Sequence, residues 1–271
     1  MHSSSMPSSE PTPVESSRYG KDYFLENCNG FAEFLGDGEL PLRLARALHL
    51  AKVQPDERVV DLGCGRGEVV TVCRVLGAMA TGLDYAAAAL EIARDSSAEL
   101  PLVRAAMDAQ PLKDATYDVA FSLDVVEHLT PRELERFLRE TYRILRPGER
   151  LIVHTAPNRW YIDHGYRWVT RPVNLVLNRL FKFGLQPTSA QYTRTREDLE
   201  FHVNEQTPPG LARAIRKAGF GCHCWADNFS EWVVGGKTRL RSMINRLSPL
   251  SHFRPLSWVL ANDLWAVARK K

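Results

Sequence analysis

The sequence has few cysteines and lacks any long apolar run. Five cysteines in 271 residues are too few for a disulfide framework, so reduced thiols in an intracellular protein are expected. The triplet Cys222-His223-Cys224 has no second ligand pair at zinc spacing, and neighbours in a strand point to opposite faces, so no metal site is predicted there. No stretch has the length and apolarity needed to span a bilayer.

The chain also lacks an apolar block at its beginning and a strong net charge. Residues 1–17 are rich in Ser and Pro, which is typical of a disordered tail rather than of a signal peptide. The net charge of +3 is too small to imply a nucleic-acid partner. These absences predict a cytoplasmic protein that binds no nucleic acid.

Short apolar runs alternate with amphipathic stretches from residue 40 onward. The predicted strands are residues 58–62, 78–83, 102–103, 117–123, 151–155, 220–225 and 264–268. The predicted helices are residues 40–50, 67–76, 86–94, a helix from Thr130 to Pro147-Gly148 and a helix from Thr207 to Gly219. This alternation predicts an α/β fold with a doubly wound, mostly parallel seven-stranded sheet.

The same alternation divides the chain into predicted segments. Residues 18–50 form an N-terminal helical segment, and residues 51–271 form the main domain. After the fifth strand the rhythm breaks, and the aromatic and basic residues 158–205 form an insert; residues 229–258 form a second one. The stretch 171–183 is amphipathic and basic, which is typical of a helix packed on its domain or touching a membrane surface.

A glycine-rich run, VVDLGCGRG at residues 59–67, ends the first strand and opens a helix. Glycines there let the backbone turn tightly and let a ligand approach the main chain, at the crevice where doubly wound sheets bind ligands. The spacing is Gly-x-Gly-x-Gly, and Glu68 stands where a dinucleotide fingerprint has its third glycine. Its carboxylate would repel a pyrophosphate at the helix N-terminus, whereas a cofactor with a cationic sulfonium avoids that conflict.

Two acidic residues follow later strands. Asp84 ends the second strand, where a carboxylate can accept hydrogen bonds from both ribose hydroxyls. Asp108 follows the third strand, where a carboxylate can accept from the exocyclic amine of an adenine. Each residue alone also has a plain structural interpretation, because strand-end aspartates cap helices and glycines make turns. Their order along the chain favours a cofactor site.

At these positions the sequence resembles the class I S-adenosylmethionine-dependent methyltransferases. The resemblance covers residues 51–155 and 202–269 and depends on the pieces VVDLGCGRGE, TGLDY, MDA, YDVAFSLDVVEHL and ILRPGERLIVHT, in the family's order. It implies that S-adenosylmethionine is the cofactor, that Asp61 orders the glycine loop and that Asp84 holds the ribose. The cofactor-binding residues that it implies are Asp61, Gly63, Cys64, Gly65, Gly67, Asp84, Tyr85, Asp108, Ala109 and Leu123.

The candidates for catalysis are Asp124, Glu127 and His128, whose i, i+3, i+4 spacing places them on one side of a helical turn. His128 can act as a general base, since an imidazole titrates near neutral pH. Alternatively, all three bind a divalent cation such as Mg²⁺, as implied by a similarity to the ubiquinone-pathway O-methyltransferases. Their Glu-x-x-Glu-His metal motif has Asp124 here in place of its first Glu. In a third interpretation, Glu127 and His128 only order the loop.

The resemblance implies an enzyme that methylates a small molecule or a glycan, with O-methylation favoured. The insert 158–205 lies where the family covers the acceptor, and His154 is either a further contact with the acceptor or a capping or solvated residue. One alternative is a lipid-linked or quinone-type acceptor at a membrane surface. Another is methylation of RNA or protein, which would require an extra module or a strong basic face. The pattern leaves the oligomeric state open.

Overall fold

The computed structural model has a seven-stranded sheet at its centre, in the order β3-β2-β1-β4-β5-β7-β6. The strands are β1 (Arg58–Leu62), β2 (Met79–Asp84), β3 (Leu102–Arg104), β4 (Tyr117–Leu123), β5 (Leu145–Thr155), β6 (Phe220–Asp227) and β7 (Asp263–Lys270). The structure describes residues 11–28, 30–172, 175–176, 179, 200–227 and 256–271. The prediction of a doubly wound, mostly parallel seven-stranded sheet is confirmed.

Strand direction and order create a crevice at one edge of this sheet. The strand β7 runs antiparallel to β5 and β6, and the other neighbouring pairs of described strands are parallel. Both β2 and β4 lie beside β1, so the strand order reverses there. The carboxyl ends of β1 and β4 therefore border the crevice in which open α/β sheets bind ligands.

Helices cover both faces of the sheet. They are α1 (Phe31–Asp37), α2 (Leu42–Ala51), α3 (Glu68–Val75), α4 (Ala87–Ser96), α5 (Pro131–Ile144), α6 (Pro208–Lys217) and α7 (Ser257–Leu260). Two short 3₁₀ helices are Ser16–Arg18 and Val126–His128, and two π-helical segments are Tyr23–Asn27 and Tyr161–Thr170. The predicted capping box of α5 is confirmed, because Thr130 and Glu133 each accept a hydrogen bond from the other's backbone N–H.

The end of α5 differs from the prediction, which placed it at Pro147-Gly148. The helix ends at Ile144, and Leu145 already has an extended backbone with φ −72° and ψ 145°. Leu145 pairs with Tyr117 of β4, so β5 begins six residues before the predicted residue 151. The strand starts early because its pairing with β4 includes a register shift between Tyr117 and Val119.

Two apolar layers bury the faces of the sheet. Val60 and Leu62 face α5 and α6, whereas Val59 faces α2, α3 and α4. This division follows from the strand geometry, in which successive side chains point to opposite faces. A third cluster of aromatic residues lies over the carboxyl edge of the sheet and includes Tyr19, Phe24, Phe31 and Phe201.

The described chain begins before the predicted end of the disordered tail at residue 17. Val14 packs against the aromatic cluster, and the turn Ser16–Arg18 follows it. The described part of the tail is held because Val14 contributes to an apolar contact and its carbonyl accepts from the Tyr85 hydroxyl. Residues 1–10 of the predicted tail lie outside the described residues.

The inserts are described in part. The helical segment Tyr161–Thr170 packs on α7, with Gly165 so close to the Val259 carbonyl that a Cβ would overlap it. Among the described residues, no helix combines the length and the apolar character that crossing a membrane requires. The predicted segments that lie outside the described residues are 180–199 and 229–255, and with them most of the amphipathic stretch 171–183.

Candidate functional site

A pocket lies at the carboxyl edge of the sheet, where β1, β2 and β4 end. Eight of the ten residues predicted to bind the cofactor line it: Asp61, Gly63, Cys64, Gly65, Asp84, Tyr85, Asp108 and Leu123. Asp124 and His128 of the predicted catalytic group also line it, as do residues of the N-terminal segment. The same cavity therefore joins the predicted cofactor site to the predicted catalytic site.

The glycine loop between β1 and α3 leaves room for a ligand at one of its positions. A Cβ on Gly63 would lie 2.3 Å from Val125 Cγ2, so this glycine allows the loop to pack closely on the residues that follow β4. Among the described residues, a Cβ on Gly65 would meet only Phe24, at 4.0 Å, and Gly65 lines the pocket. Gly65 also has a φ of +51°, in the left-handed region that glycine adopts at no steric cost.

Asp84 is fixed by the backbone of the loops on either side of it. One carboxylate oxygen accepts from the Gly65 N–H at 2.9 Å, and the other accepts from the Ala86 N–H at 2.9 Å. Burial raises the pKa of Asp84, while these N–H groups act to lower it. Each oxygen of a carboxylate accepts about two hydrogen bonds, so each retains capacity toward a pair of hydroxyls in the pocket.

Three carboxyl groups meet around the glycine loop. Glu68 is paired with the guanidinium of Arg66 at 2.6 Å, so its charge is matched within the protein. Burial, and then the Glu68 and Asp84 carboxylates, raise the pKa of Asp61 to about 8. Excess negative charge in a buried site favours a cationic ligand, since a nearby cation restores the ionised form of Asp61.

Two residues predicted for the cofactor lie outside the pocket lining. A Cβ on Gly67 would contact Leu100 and Ala93, so Gly67 faces α4 and caps α3. Ala109 follows Asp108 in a turn and does not line the pocket. Asp108 does line it, and one of its oxygens is paired with the Arg136 guanidinium at 2.8 Å.

The helical face predicted for Asp124, Glu127 and His128 does not form. Asp124 has a φ of +57°, so it lies outside the short turn Val126–His128 instead of sharing a helical face with it. Its carboxylate is bound by Arg43 at 2.8 Å and by Nδ1 of His154 at 2.6 Å. Burial acts to raise the pKa of Asp124, but these two cationic partners hold it below its ordinary value.

His154 is neither solvated nor in contact with the pocket. Its ring packs on Trp265 with 4.4 Å between the ring centroids, and 2% of the residue is exposed. Burial acts to lower its pKa, but the carboxylate of Asp124 raises the pKa above the ordinary value. Both sequence interpretations of His154 were wrong, because its partner lies 30 residues away on the neighbouring loop.

Glu127 is buried beneath the pocket. Its carboxyl accepts from the Thr155 hydroxyl at 2.7 Å, and burial followed by the charge of Asp124 raises its pKa to about 8. Possible metal ligands of Glu127, His128 and His202 lie within 4.8 Å of one another. Mg²⁺ prefers oxygen ligands, and this set offers two imidazoles and only one carboxyl, so it does not fit Mg²⁺.

Comparison with known proteins agrees with this geometry. Residues 60–153 match the family described as a methyltransferase domain. This match, on the doubly wound sheet described above, assigns residues 60–153 to a class I S-adenosylmethionine-dependent methyltransferase domain. The chain is 34% identical over 110 residues to a malonyl-[acyl-carrier protein] O-methyltransferase of Serratia marcescens, covering 41% of this chain and 42% of that protein. It is also 30% identical over 129 residues to sterol methyltransferase-like 1 of Botryococcus braunii, covering 45% and 33%.

The chain thus spans less than half the length of these two relatives. Among solved structures, an S-adenosylmethionine-dependent methyltransferase from Mesorhizobium loti has a TM-score of 0.57. Its sequence identity is 17%, and the match covers 86% of this chain and 99% of that one. At this identity the likeness establishes the fold.

The N-terminal segment forms the roof of the pocket and lies outside residues 60–153, which match the methyltransferase domain. Arg66, in the glycine loop, is 4% exposed and donates to the carbonyls of Phe24 and Cys28 at 2.7 and 2.6 Å. Its guanidinium also lies 4.5 Å from the centroid of the Phe31 ring. Arg66 therefore holds the N-terminal segment against the pocket, together with the pair between Arg43 and Asp124.

The sequence prediction missed this roof and its aromatic residues. Tyr19, Tyr23 and Phe24 line the pocket, and Tyr19 contacts Nδ1 of His128 at 3.1 Å. One signal was available, because aromatic residues recur closely over residues 19–34. The partners of these residues lie far away along the chain, and no local spacing indicates them.

Proposed function

We propose that the protein is an S-adenosylmethionine-dependent methyltransferase that acts on a small molecule or a glycan, at oxygen. The observation that supports this most is the pocket that joins the acidic glycine loop to His128. The methyltransferase domain supports the reaction class. S-adenosylmethionine supplies an activated methyl group on a cationic sulfonium.

Different residues of the pocket would bind different parts of the cofactor. Asp84 would accept from the ribose hydroxyls with the hydrogen-bonding capacity that its two backbone bonds leave. The open side of Gly65 lets the cofactor approach the main chain. Asp61, ionised by a nearby cation, would bind the ammonium end, and Asp108 would accept from the adenine amine beside its pair with Arg136.

His128 is positioned to take the proton of the acceptor. S-adenosylmethionine would supply the methyl group to the acceptor oxygen and leave as a neutral thioether, so an acceptor hydroxyl has one proton to lose. The proton of the acceptor hydroxyl passes to His128, which lines the pocket and carries an imidazole. Asp124 is bound by Arg43 and His154, so it stabilises the loop that carries His128 and does not act as the base.

A second candidate acceptor is favoured by one surface observation. On the helical segment Tyr161–Thr170, Trp168 is 68% exposed and Val169 is 45% exposed, next to the guanidinium of Arg167. Aromatic and basic side chains together on an exposed helix suit contact with an anionic membrane surface. An acceptor held in or on that membrane, such as a lipid-linked glycan or a quinone, would then reach the enzyme there.

The decisive experiment measures transfer of a labelled methyl group. The protein is incubated with S-adenosylmethionine carrying a labelled methyl and with separate panels of phenols, sugars, lipid-linked glycans, amines and RNA. Label in a hydroxyl-bearing small molecule or sugar supports the proposal, and label in RNA or amines alone contradicts it. Asp84→Ala is the control, since an enzyme that uses this pocket loses transfer when Asp84 is removed.

A further inference from the structure

The proposed base, His128, has one ring nitrogen in contact with two oxygen atoms from distant parts of the chain. Nδ1 lies 3.1 Å from the Tyr19 hydroxyl and 3.2 Å from the Phe201 carbonyl oxygen. A carbonyl oxygen can only accept a hydrogen bond, so the contact with Phe201 is favourable only when Nδ1 carries a proton. In neutral imidazole one nitrogen donates and the other accepts, so Nε2 then carries the lone pair.

Tyr19 is arranged to accept from that proton. Burial raises the pKa of Tyr19 above its ordinary value, so the hydroxyl keeps its single proton. Because the Phe201 carbonyl requires a proton on Nδ1, the hydroxyl oxygen of Tyr19, which can accept as well as donate, accepts from that same N–H.

The Tyr19 ring is held firmly enough to fix this contact. The residue is 5% exposed, and its ring centroid lies 4.8 Å from that of Phe201 and 4.9 Å from that of Tyr23. The ring also meets the His128 imidazole edge-on, with 5.7 Å between centroids. These contacts on several sides hold the ring so that its hydroxyl lies next to Nδ1.

We propose that Tyr19 is the positioning residue of His128. With the Phe201 carbonyl, it holds the proton of His128 on Nδ1 and so makes Nε2 the nitrogen that removes the proton of the acceptor. The inference rests on the proposed function, because it assigns Tyr19 to the same reaction. It places one part of the proton-transfer apparatus on the N-terminal segment, outside the part of the chain that matches the methyltransferase family.

The tautomer of His128 can be observed without any turnover. In protein labelled with ¹⁵N-histidine, two-bond ¹H–¹⁵N correlation spectra at alkaline pH show which ring nitrogen carries the proton. The signal of His128 is identified by its loss in His128→Gln. We expect the Nδ1–H form in the native protein and a shift toward the Nε2–H form in Tyr19→Phe, which keeps the ring and removes the hydroxyl.

Tyr23→Phe is the matched control, because it removes a hydroxyl from the neighbouring ring of the same cluster. It should leave the tautomer of His128 unchanged. An Nε2–H form in the native protein, or a tautomer that Tyr19→Phe does not alter, would overturn the proposal.

Kinetics separate this proposal from the proposed function. Once an acceptor has been identified, Tyr19→Phe should lower kcat about fivefold to tenfold, as expected for one lost hydrogen bond. The KM for S-adenosylmethionine should be unchanged. His128→Gln should lower kcat about 100-fold or more. An unchanged kcat in Tyr19→Phe would refute the positioning role even if the tautomer shifts. If no acceptor takes label, the proposed function fails, and the spectra still decide whether Tyr19 sets the tautomer.

Discussion

The buried carboxyl of Asp61 makes a quantitative prediction about stability. Its pKa is raised from 3.8 to about 8, so between these values the folded protein holds a proton that the unfolded chain releases. The free energy of unfolding therefore falls as pH rises through this range, by about 1.4 kcal/mol per pH unit for one proton. Asn cannot release a proton, so Asp61→Asn should remove this contribution to the slope.

The assay is urea unfolding at several values from roughly pH 5 to 7, for the native protein and the variant. We expect the slope of unfolding free energy against pH to be less steep in Asp61→Asn by about 1.4 kcal/mol per unit. Glu127→Gln is the matched control, because the pKa of Glu127 is also raised to about 8. It should reduce the slope in the same direction.

Ligand binding then distinguishes the two carboxyl groups. Asp61 lines the pocket, whereas Glu127 does not, so a bound ammonium should ionise Asp61 alone. Calorimetry with S-adenosylhomocysteine in two buffers of different ionisation enthalpy should show release of about one proton at neutral pH. Glu127→Gln should keep this release and Asp61→Asn should abolish it. If the slope in Asp61→Asn equals that of the native protein, Asp61 is already ionised when folded and the reasoning is refuted.

Three further predictions concern the glycine loop, the ribose contact and the metal. Gly65→Val should abolish binding of S-adenosylhomocysteine. Gly148→Val, at a comparable positive φ with open space around it, should keep that binding. Equal losses of affinity in calorimetry would contradict the role of the glycine loop. Asp84→Ala should weaken binding by about 1–3 kcal/mol, and an unchanged affinity would remove Asp84 from the site. Because the Asp124 carboxylate is already bound by a guanidinium and an imidazole, EDTA should leave turnover unchanged, and a loss that Mg²⁺ restores would contradict this.

Local chemistry explains the parts of the fold that the sequence predicted well. The capping box of Thr130 and Glu133 spans three residues, and its hydrogen bonds depend only on those residues. The glycine loop is similar, since Gly63 and Gly65 adopt positive φ values within a short turn. Features of this kind are determined within a few residues and are therefore visible in the sequence.

The predictions failed where a backbone departure or a distant partner decided the outcome. The i, i+3, i+4 pattern at Asp124 assumed a continuous helical turn, and the positive φ of Asp124 breaks it. Arg43, the partner of Asp124, lies 81 residues earlier in the chain, and Tyr19 lies 109 residues before His128. Contacts over such separations follow from the packing of the whole domain, and no spacing rule predicts them.

The way Arg66 ties the N-terminal segment to the glycine loop bears on where this protein can be shortened. The recognisable family region begins at residue 60, and a cut at residue 51 would retain every strand of the sheet. Such a fragment would lack the carbonyls of Phe24 and Cys28 that Arg66 binds, and also one wall of the pocket. The smallest unit able to enclose its ligands is therefore larger than the smallest unit with a complete sheet.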